Sequence, residues 1–207
     1  MPKKIHKEVL TEEQKKLLPV LKDFSKNFGL VGGTAIALHL GHRRSIDFDL
    51  FSNEKFGNKE LLNKIWKRQK IDNIIVNKLD ELTVIIEGVK FTFFRYPFEI
   101  KYDHVFEDVI KYPDLLTLAA MKAFALGMRA KWKDYVDLYF VIKYHFSVDE
   151  ISQQAQFIFK ENFNKKLFRV QLGYYEGINY NEEVEFLPGC EIDEEKIKKE
   201  LINFSLE

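Results

Sequence analysis

Two aspartates separated by one residue, Asp47 and Asp49, give this 207-residue chain its clearest chemical signal. Side chains two positions apart on a β-strand share a face, so a cation, a hydroxyl and two carboxylates should align there: Arg43, Ser45, Asp47 and Asp49. Adjacent ionised carboxylates repel each other, and a divalent ion bound through oxygen relieves this repulsion most simply. The pattern predicts a metal site for Mg2+ (or Mn2+) at Asp47 and Asp49.

A glycine pair lies upstream of these acids, at Gly32 and Gly33, where a predicted strand ends and a predicted helix runs over residues 34–40. Glycine allows a tight turn and a close approach of the backbone to a ligand. The amino end of the helix, starting at Thr34, presents unpaired amides and a positive dipole that favour phosphate. A phosphate site beside a metal site indicates nucleotide chemistry.

Taken singly, a glycine pair is typical of a turn, and an Asp-x-Asp pair is typical of an exposed edge strand. Their combination is more specific. Gly32-Gly33-Thr34 followed by His42-Arg43-x-Ser45-x-Asp47-x-Asp49-x-Phe51 resembles the signature of the nucleotidyltransferase superfamily. The His-Arg-x-Ser spacing is most similar to the AbiEii/AbiGii toxin-type enzymes of abortive-infection and toxin-antitoxin systems.

That resemblance implies transfer of a nucleoside monophosphate from a nucleoside triphosphate to an acceptor, either RNA such as a tRNA end or a protein. It further implies a cognate antitoxin protein as a partner. It places Asp47 and Asp49 on the metal and makes five residues nucleotide-binding: Gly32, Gly33, Thr34, Arg43 and Ser45.

A second segment, from Met121-Lys122 through Arg129 to Lys133-Asp134-x-x-Asp137-Leu138, is similar to a later motif of the same family. The resemblance makes Lys122 and Lys133 contacts of the triphosphate, with Asp134 or Asp137 orienting them or the acceptor. We accordingly predict catalytic roles for Lys133 and Asp137, and nucleotide binding by Lys122 and Asp134. Simpler interpretations exist, because Lys133 and Asp137 could form an i,i+4 surface ion pair and Lys122 could extend from an apolar stripe to water.

The chain departs from the family pattern at a third carboxylate, which commonly lies on a later strand and activates the acceptor. Alternation along residues 89–94 puts Thr92 at that position, with Lys90 and Phe94 on the same face. Three alternatives remain open: a carboxylate arrives from elsewhere, with Glu87 and Glu99 nearest; the site uses one metal and two acids; or the enzyme is weakened.

The periodicity of the chain predicts an α+β fold. The resemblance implies that this fold is a nucleotidyltransferase-type mixed β-sheet core with flanking helices and a helical C-terminal region. We expect a core over residues 1–112 and helices packed on it over residues 113–207. Predicted elements are helices at 11–27 and 58–68, with Trp66 facing inward; strands at 43–51, 71–78, 82–86, 89–95 and 105–110; and helices at 115–126, 131–145, 148–160, 163–173 and 192–204. A hairpin turn is predicted at Glu87-Gly88, and Asp114 is predicted to cap a helix.

Composition bounds the remaining function classes. Thirty-two basic and 32 acidic residues give no net charge, which removes any global argument for a nucleic-acid or membrane partner but permits a local basic groove. The chain has one cysteine and no zinc-type spacing, which fits a reducing compartment. Its basic start is not followed by an apolar signal segment, and no apolar run reaches membrane length. We therefore predict a cytoplasmic protein without a membrane partner. Two further functions stay open: nucleotide binding without turnover, and nucleotidyl transfer to a small molecule such as an antibiotic.

Overall fold

The computed structural model describes residues 4–207, so the basic start at Met1 to Lys3 lies outside the described residues. Its centre is a five-stranded mixed sheet in the order β1-β2-β5-β4-β3, and a separate β6-β7 hairpin lies beside it. The strands are β1 (Gly29–Val31), β2 (Asp47–Ser52), β3 (Asn73–Lys78), β4 (Glu81–Ile86), β5 (Val89–Arg95), β6 (His104–Phe106) and β7 (Ile110–Tyr112). The predicted α+β class, with a mixed β-sheet core, is confirmed.

Helices flank the sheet and form the C-terminal part. They are α1 (Glu12–Lys16), α2 (Leu18–Lys22), α3 (Gly32–Leu40), α4 (Asn58–Trp66), α5 (Leu115–Leu126), α6 (Trp132–Tyr144), α7 (Val148–Phe159), α8 (Lys165–Leu172) and α9 (Glu194–Leu206). Helices α5 and α6 both pack on α3, so the predicted division at residues 112 and 113 runs through a shared apolar core and stays a prediction. Within residues 4–207, we find no helix with the length and apolar character needed to cross a membrane.

The register of the sheet positions the acids. Strand β2 alternates between half-buried and buried residues, so Phe48 and Leu50 enter the core while Asp47 and Asp49 face the other way. Strand β5 runs parallel to β2 and places Lys90 beside Asp47 and Thr92 beside Asp49. The position expected for a third acid is therefore a threonine directly next to Asp49.

Two turn predictions are confirmed. Glu87 and Gly88 both have positive φ, 49° and 77°, as a two-residue turn between twisted antiparallel strands requires. Asp114 caps α5 by accepting a hydrogen bond from the Thr117 amide at 2.8 Å.

Several element boundaries differ from the predictions. The single helix expected over residues 11–27 is two short helices, because Pro19 lacks an amide hydrogen and its ring clashes with the preceding turn. Strand β2 begins at Asp47 rather than Arg43, since β5 and β1 offer pairing partners only from Asp47 onward. The strand predicted over residues 105–110 is instead the β6-β7 hairpin, turning through the positive φ angles of Glu107 and Asp108.

Trp66 was predicted to face inward and is 56% exposed, so that prediction is wrong. It is the last residue of α4, one turn beyond Leu62, and the buried face of this helix consists of Leu61, Leu62 and Ile65. Helix spacing alone does not show where the covered part of a face ends.

Candidate active site

The predicted metal and nucleotide residues meet at one cleft of about 490 Å3 between the sheet and helices α3, α5 and α6. Its walls differ in chemistry. The sheet side is acidic, the carboxyl end of α5 and the start of α6 are basic, and a third part is apolar. Of the eleven predicted site residues, nine line this cleft: Gly32, Gly33, Arg43, Ser45, Asp47, Asp49, Lys122, Lys133 and Asp134.

Asp47 and Asp49 form the acidic wall. The Asp47 carboxylate forms an ion pair with Lys90 on the neighbouring strand, with 2.6 Å between Asp47 Oδ2 and Lys90 Nζ. Burial, followed by the charge of Asp47, raises the pKa of Asp49. Ionisation of Asp49 is therefore unfavourable unless a further positive charge binds nearby.

These two carboxylates fit a divalent cation because both open to the cleft and because burial and the charge of Asp47 disfavour ionisation of Asp49 without added positive charge. Within residues 4–207, no group of three or more His, Cys, Asp or Glu side chains is arranged to bind a metal without further ligands. An ion at Asp47 and Asp49 would need oxygen ligands from substrate and water as well, which is a usual arrangement for Mg2+.

The absence of side chains at Gly32 and Gly33 allows the start of α3 to pack closely against the acidic wall. Gly32 has φ of +72°, and a Cβ atom there would overlap the Asp49 carboxylate oxygen Oδ2. A Cβ at Gly33 would lie 2.7 Å from Arg43 Nη2 and 3.1 Å from the Ser45 hydroxyl oxygen. The two glycines thus bring the start of α3 against Asp49 and Arg43, and α3 begins at Gly32, two residues earlier than predicted.

Thr34 takes no part in lining the cleft. It is buried, and its hydroxyl donates to the Ser45 hydroxyl at 2.9 Å and also contacts the Asp47 carbonyl. Thr34 therefore fixes the segment that carries Ser45 and Asp47 against the first turn of α3.

Asp137 also lies behind the cleft, fully buried in a charge network that we define as His42, Arg43, Lys122, Asp134 and Asp137. Arg43 donates to both Asp137 oxygens, at 2.7 and 2.8 Å. Burial opposes ionisation, but the charges of Arg43 and Lys122 hold the pKa of Asp137 well below its usual range. The surface ion pair between Lys133 and Asp137 that the i,i+4 spacing allowed is not what the structure contains.

Lys122 faces both acids of this network, 2.7 Å from Asp134 and 3.0 Å from Asp137. Burial lowers its pKa, but Asp134 and Asp137 outweigh burial and raise it overall. Lys122 is only 7% exposed yet lines the cleft, so it presents a fixed positive charge there rather than extending to bulk water.

His42 closes the network from the other side. Its Nε2 lies 2.8 Å from Asp137, while Nδ1 is buried and has no hydrogen-bond partner within residues 4–207. Burial lowers the pKa of His42, so the neutral imidazole is favoured.

Sequence reasoning missed part of the basic wall and one acid. Lys131 and Lys133, at the start of α6, both contact Glu182, at 2.6 and 3.6 Å. Arg129 adds a further cation to this wall. Lys131, two residues before the predicted Lys133, could have been noticed, but nothing near Glu182 in the sequence signals its position.

Neither Glu87 nor Glu99, the nearest candidates for a third acid, lines the cleft; both are exposed. The additional acids on its lining are Glu81 and Glu182. Glu81 is paired with Lys78 at 3.0 Å, and Glu182 with the lysines of the basic wall.

Comparison with known proteins gives a family relationship and a fold. No family model matches the chain. An uncharacterized protein of Aquifex aeolicus (strain VF5) is 32% identical over 147 residues, covering 66% of this chain and 68% of the relative.

Solved structures show the same fold at low identity. A proposed nucleotidyltransferase from Helicobacter pylori superposes with a TM-score of 0.56 at 16% identity, covering 94% of this chain and 92% of that one. JHP933 from H. pylori gives a TM-score of 0.56 at 17% identity, over 95% and 92% of the two chains. MenT4, a nucleotidyltransferase toxin of Mycobacterium tuberculosis H37Rv, gives a TM-score of 0.60 at 11% identity, over 94% and 82%.

Proposed function

Since this chain belongs to the same protein family as the Aquifex aeolicus protein and has the nucleotidyltransferase fold, we propose that it transfers a nucleoside monophosphate from a nucleoside triphosphate to an acceptor. The observation that carries the proposal is the Asp47–Asp49 pair on a cleft wall, facing the glycine-led amino end of α3 and a basic wall. Phosphoryl-type transfer needs acids that bind a metal, amides that bind phosphate and cations that bind the rest of the polyphosphate.

In this reaction an acceptor oxygen forms a bond to the α-phosphorus while the bond from that phosphorus to the bridging oxygen breaks and pyrophosphate leaves. Asp47 and Asp49 would hold Mg2+ or Mn2+, and such an ion would supply positive charge to offset the charge that develops on the leaving group. Gly32 and Gly33 bring backbone amides close to the phosphates, while Thr34 holds the Ser45 segment in place.

Arg43, Lys122 and Lys133 place positive charge around the phosphates, with Ser45 as a hydroxyl donor. Asp134 and Asp137 orient Arg43 and Lys122, and the burial of Asp137 gives it a positioning role rather than contact with the substrate. Asp49 in its deprotonated form would receive the acceptor proton, since Thr92 stands where a third acid would serve and Lys90 holds Asp47 in an ion pair.

We further propose that the acceptor is RNA, such as a tRNA end, or a protein, and that the chain is a toxin neutralised by a cognate antitoxin. Support for this finer assignment is the AbiEii-like His42-Arg43-x-Ser45 spacing and the fold shared with the MenT4 toxin.

Label transfer tests the reaction directly. The protein is incubated with each α-labelled nucleoside triphosphate, Mg2+ and either total RNA or total protein, with Asp47→Asn as the matched control. Label on one acceptor class with the intact protein, and none with the variant, is the expected result. Absence of transfer from all four triphosphates to either class would overturn the proposed activity.

Induced expression tests the toxin role separately. Growth should stop with the intact protein and continue with Asp47→Asn. Unaffected growth with the intact protein would remove the toxin assignment while leaving the activity standing.

One observation favours a second function, binding without turnover. Thr92 replaces the expected acid, and Lys90 neutralises Asp47 in the way a metal would. Equilibrium binding of a triphosphate combined with no label transfer would select this function.

A further inference from the structure

The segment that carries Glu182, a residue of the cleft lining, is attached at both ends. We call residues 178–187 the strap. At one end Asn179 accepts from the Trp132 amide at 3.1 Å and donates to the Ala130 carbonyl at 2.8 Å, beside the start of α6. At the other end the Arg44 amide donates to the Glu185 carbonyl at 2.9 Å, and Leu187 donates to the His42 carbonyl at 3.0 Å. The strap therefore joins the turn before β2 to the basic wall.

Between these attachments the strap inserts one carboxylate among the cleft's cations. Glu182 Oε1 lies 2.6 Å from Lys131 Nζ and Oε2 lies 3.6 Å from Lys133 Nζ. Burial raises the pKa of Glu182, but the hydrogen bond from Lys131 and the charges of Lys131, Lys133 and Lys90 outweigh it and lower that pKa to about 2. Glu182 is an anion at any physiological pH.

Its ionisation and contacts argue against Glu182 as the missing base. A carboxylate held by two ammonium groups is a weak proton acceptor, because protonation would break both ion pairs. Both of its oxygens face lysines. The two lysines contact the Glu182 oxygens in the same way that they would contact phosphate oxygens.

We propose that Glu182 is an internal competitor for the polyphosphate of the nucleotide: it occupies Lys131 and Lys133 in the free protein and is displaced when a triphosphate or pyrophosphate binds. The inference rests on the proposed function for the identity of the ligand. Exchange of Glu182 for phosphate should affect Lys133 more than Lys131. Burial and then the neighbouring Arg43 lower the pKa of Lys133, so its charged form depends on an anionic partner. The strap would thus set the affinity of the site for substrate and for the pyrophosphate product.

Equilibrium binding of a non-hydrolysable nucleoside triphosphate and of pyrophosphate tests this proposal, with Glu182→Gln against Glu183→Gln. Glu183 is the exposed neighbour on the strap, and its side chain does not line the cleft, so it controls for the loss of one negative charge. We expect Glu182→Gln to bind both ligands about fivefold more tightly than the intact protein, the scale of a partly exposed ion pair. Glu183→Gln should bind like the intact protein.

Equal or weaker binding by Glu182→Gln, with normal binding by the intact protein, would overturn the competitor role and leave the proposed function in place. Weaker binding only in the presence of Mg2+ would identify Glu182 as a metal ligand instead. No binding by any of the three proteins would overturn both proposals. Thermal unfolding of each variant shows whether a change in binding comes from a change in folding.

Discussion

Asp49 is half-buried and Asp137 is fully buried in the same site, and their surroundings drive their ionisation in opposite directions. Asp137 has Arg43, Lys122 and His42 as direct partners, and its pKa lies well below the usual range. Asp49 has burial and the adjacent Asp47 acting on it, and its pKa is raised. Burial penalises both charges, so the number of positive partners decides which acid is satisfied within the protein and which is suited to an added cation.

The largest expected effect is the loss of stability on replacing Asp137, the acid that is neutralised within the protein. Asp137→Asn should lower the free energy of unfolding by about 3–5 kcal/mol, because it leaves Arg43 and Lys122 buried without their shared counter-charge. Denaturant unfolding measures the change. Asp49→Asn is the matched control and should cost much less; equal losses for both variants would show that the two acids do not differ as described.

Gly32→Ala should have the next largest effect, about 1–3 kcal/mol of destabilisation, because φ of +72° strains a residue with a side chain and the new Cβ overlaps the Asp49 carboxylate. Relief of the overlap would move Asp49, so label transfer should fall more than stability does. Gly88→Ala is a suitable comparison, since Gly88 has a similar positive φ but a Cβ there would lie more than 4 Å from every non-adjacent residue that the structure describes. Equal loss of transfer in both variants would contradict a specific contact with Asp49.

The two acids should also give opposite pH dependence of stability. Asp137, with a depressed folded pKa, contributes stability that is present above its unfolded pKa and is lost as pH falls through the folded value. Asp49, with a raised folded pKa, favours the folded state when protonated, and this contribution is lost as pH rises from the unfolded pKa through the raised folded one.

Unfolding measured across pH for the intact protein and Asp49→Asn isolates the second effect. The variant should gain stability relative to the intact protein as pH rises through that window, and added Mg2+ should stabilise the intact protein alone. A difference between the two proteins that does not vary with pH would refute a raised pKa at Asp49.

The smallest expected effect is that of Lys90→Gln. Lys90 and Asp47 are partly exposed, so loss of their 2.6 Å ion pair should change the free energy of unfolding by less than about 1 kcal/mol. Mn2+ binding should become tighter, because a competing cation has been removed from Asp47. Weaker Mn2+ binding would show that Lys90 supports the acidic wall instead of competing for it.

Local sequence determined the parts of the molecule that depend on neighbouring residues. Period-two alternation put Asp47 and Asp49 on one face and Lys90 and Thr92 on another strand's matching face, as the register confirms. The positive-φ turn at Glu87-Gly88 and the Asp114 cap follow from chemistry within three residues. The same local reasoning failed at Trp66, where burial depends on what lies opposite the end of a helix.

Only the tertiary structure decided which charges are satisfied. Arg43 and Asp137 are 94 residues apart, and Lys131 and Glu182 are 51 apart, so no local spacing announces either pair. The roles of Asp137 and Glu182 depend on burial and on the count of cations within contact distance, which are properties of packing. Sequence alone therefore singled out candidate side chains for the proposed chemistry. The fold determined which of them remain available to a ligand, because a buried ion pair forms between whichever charges packing brings together.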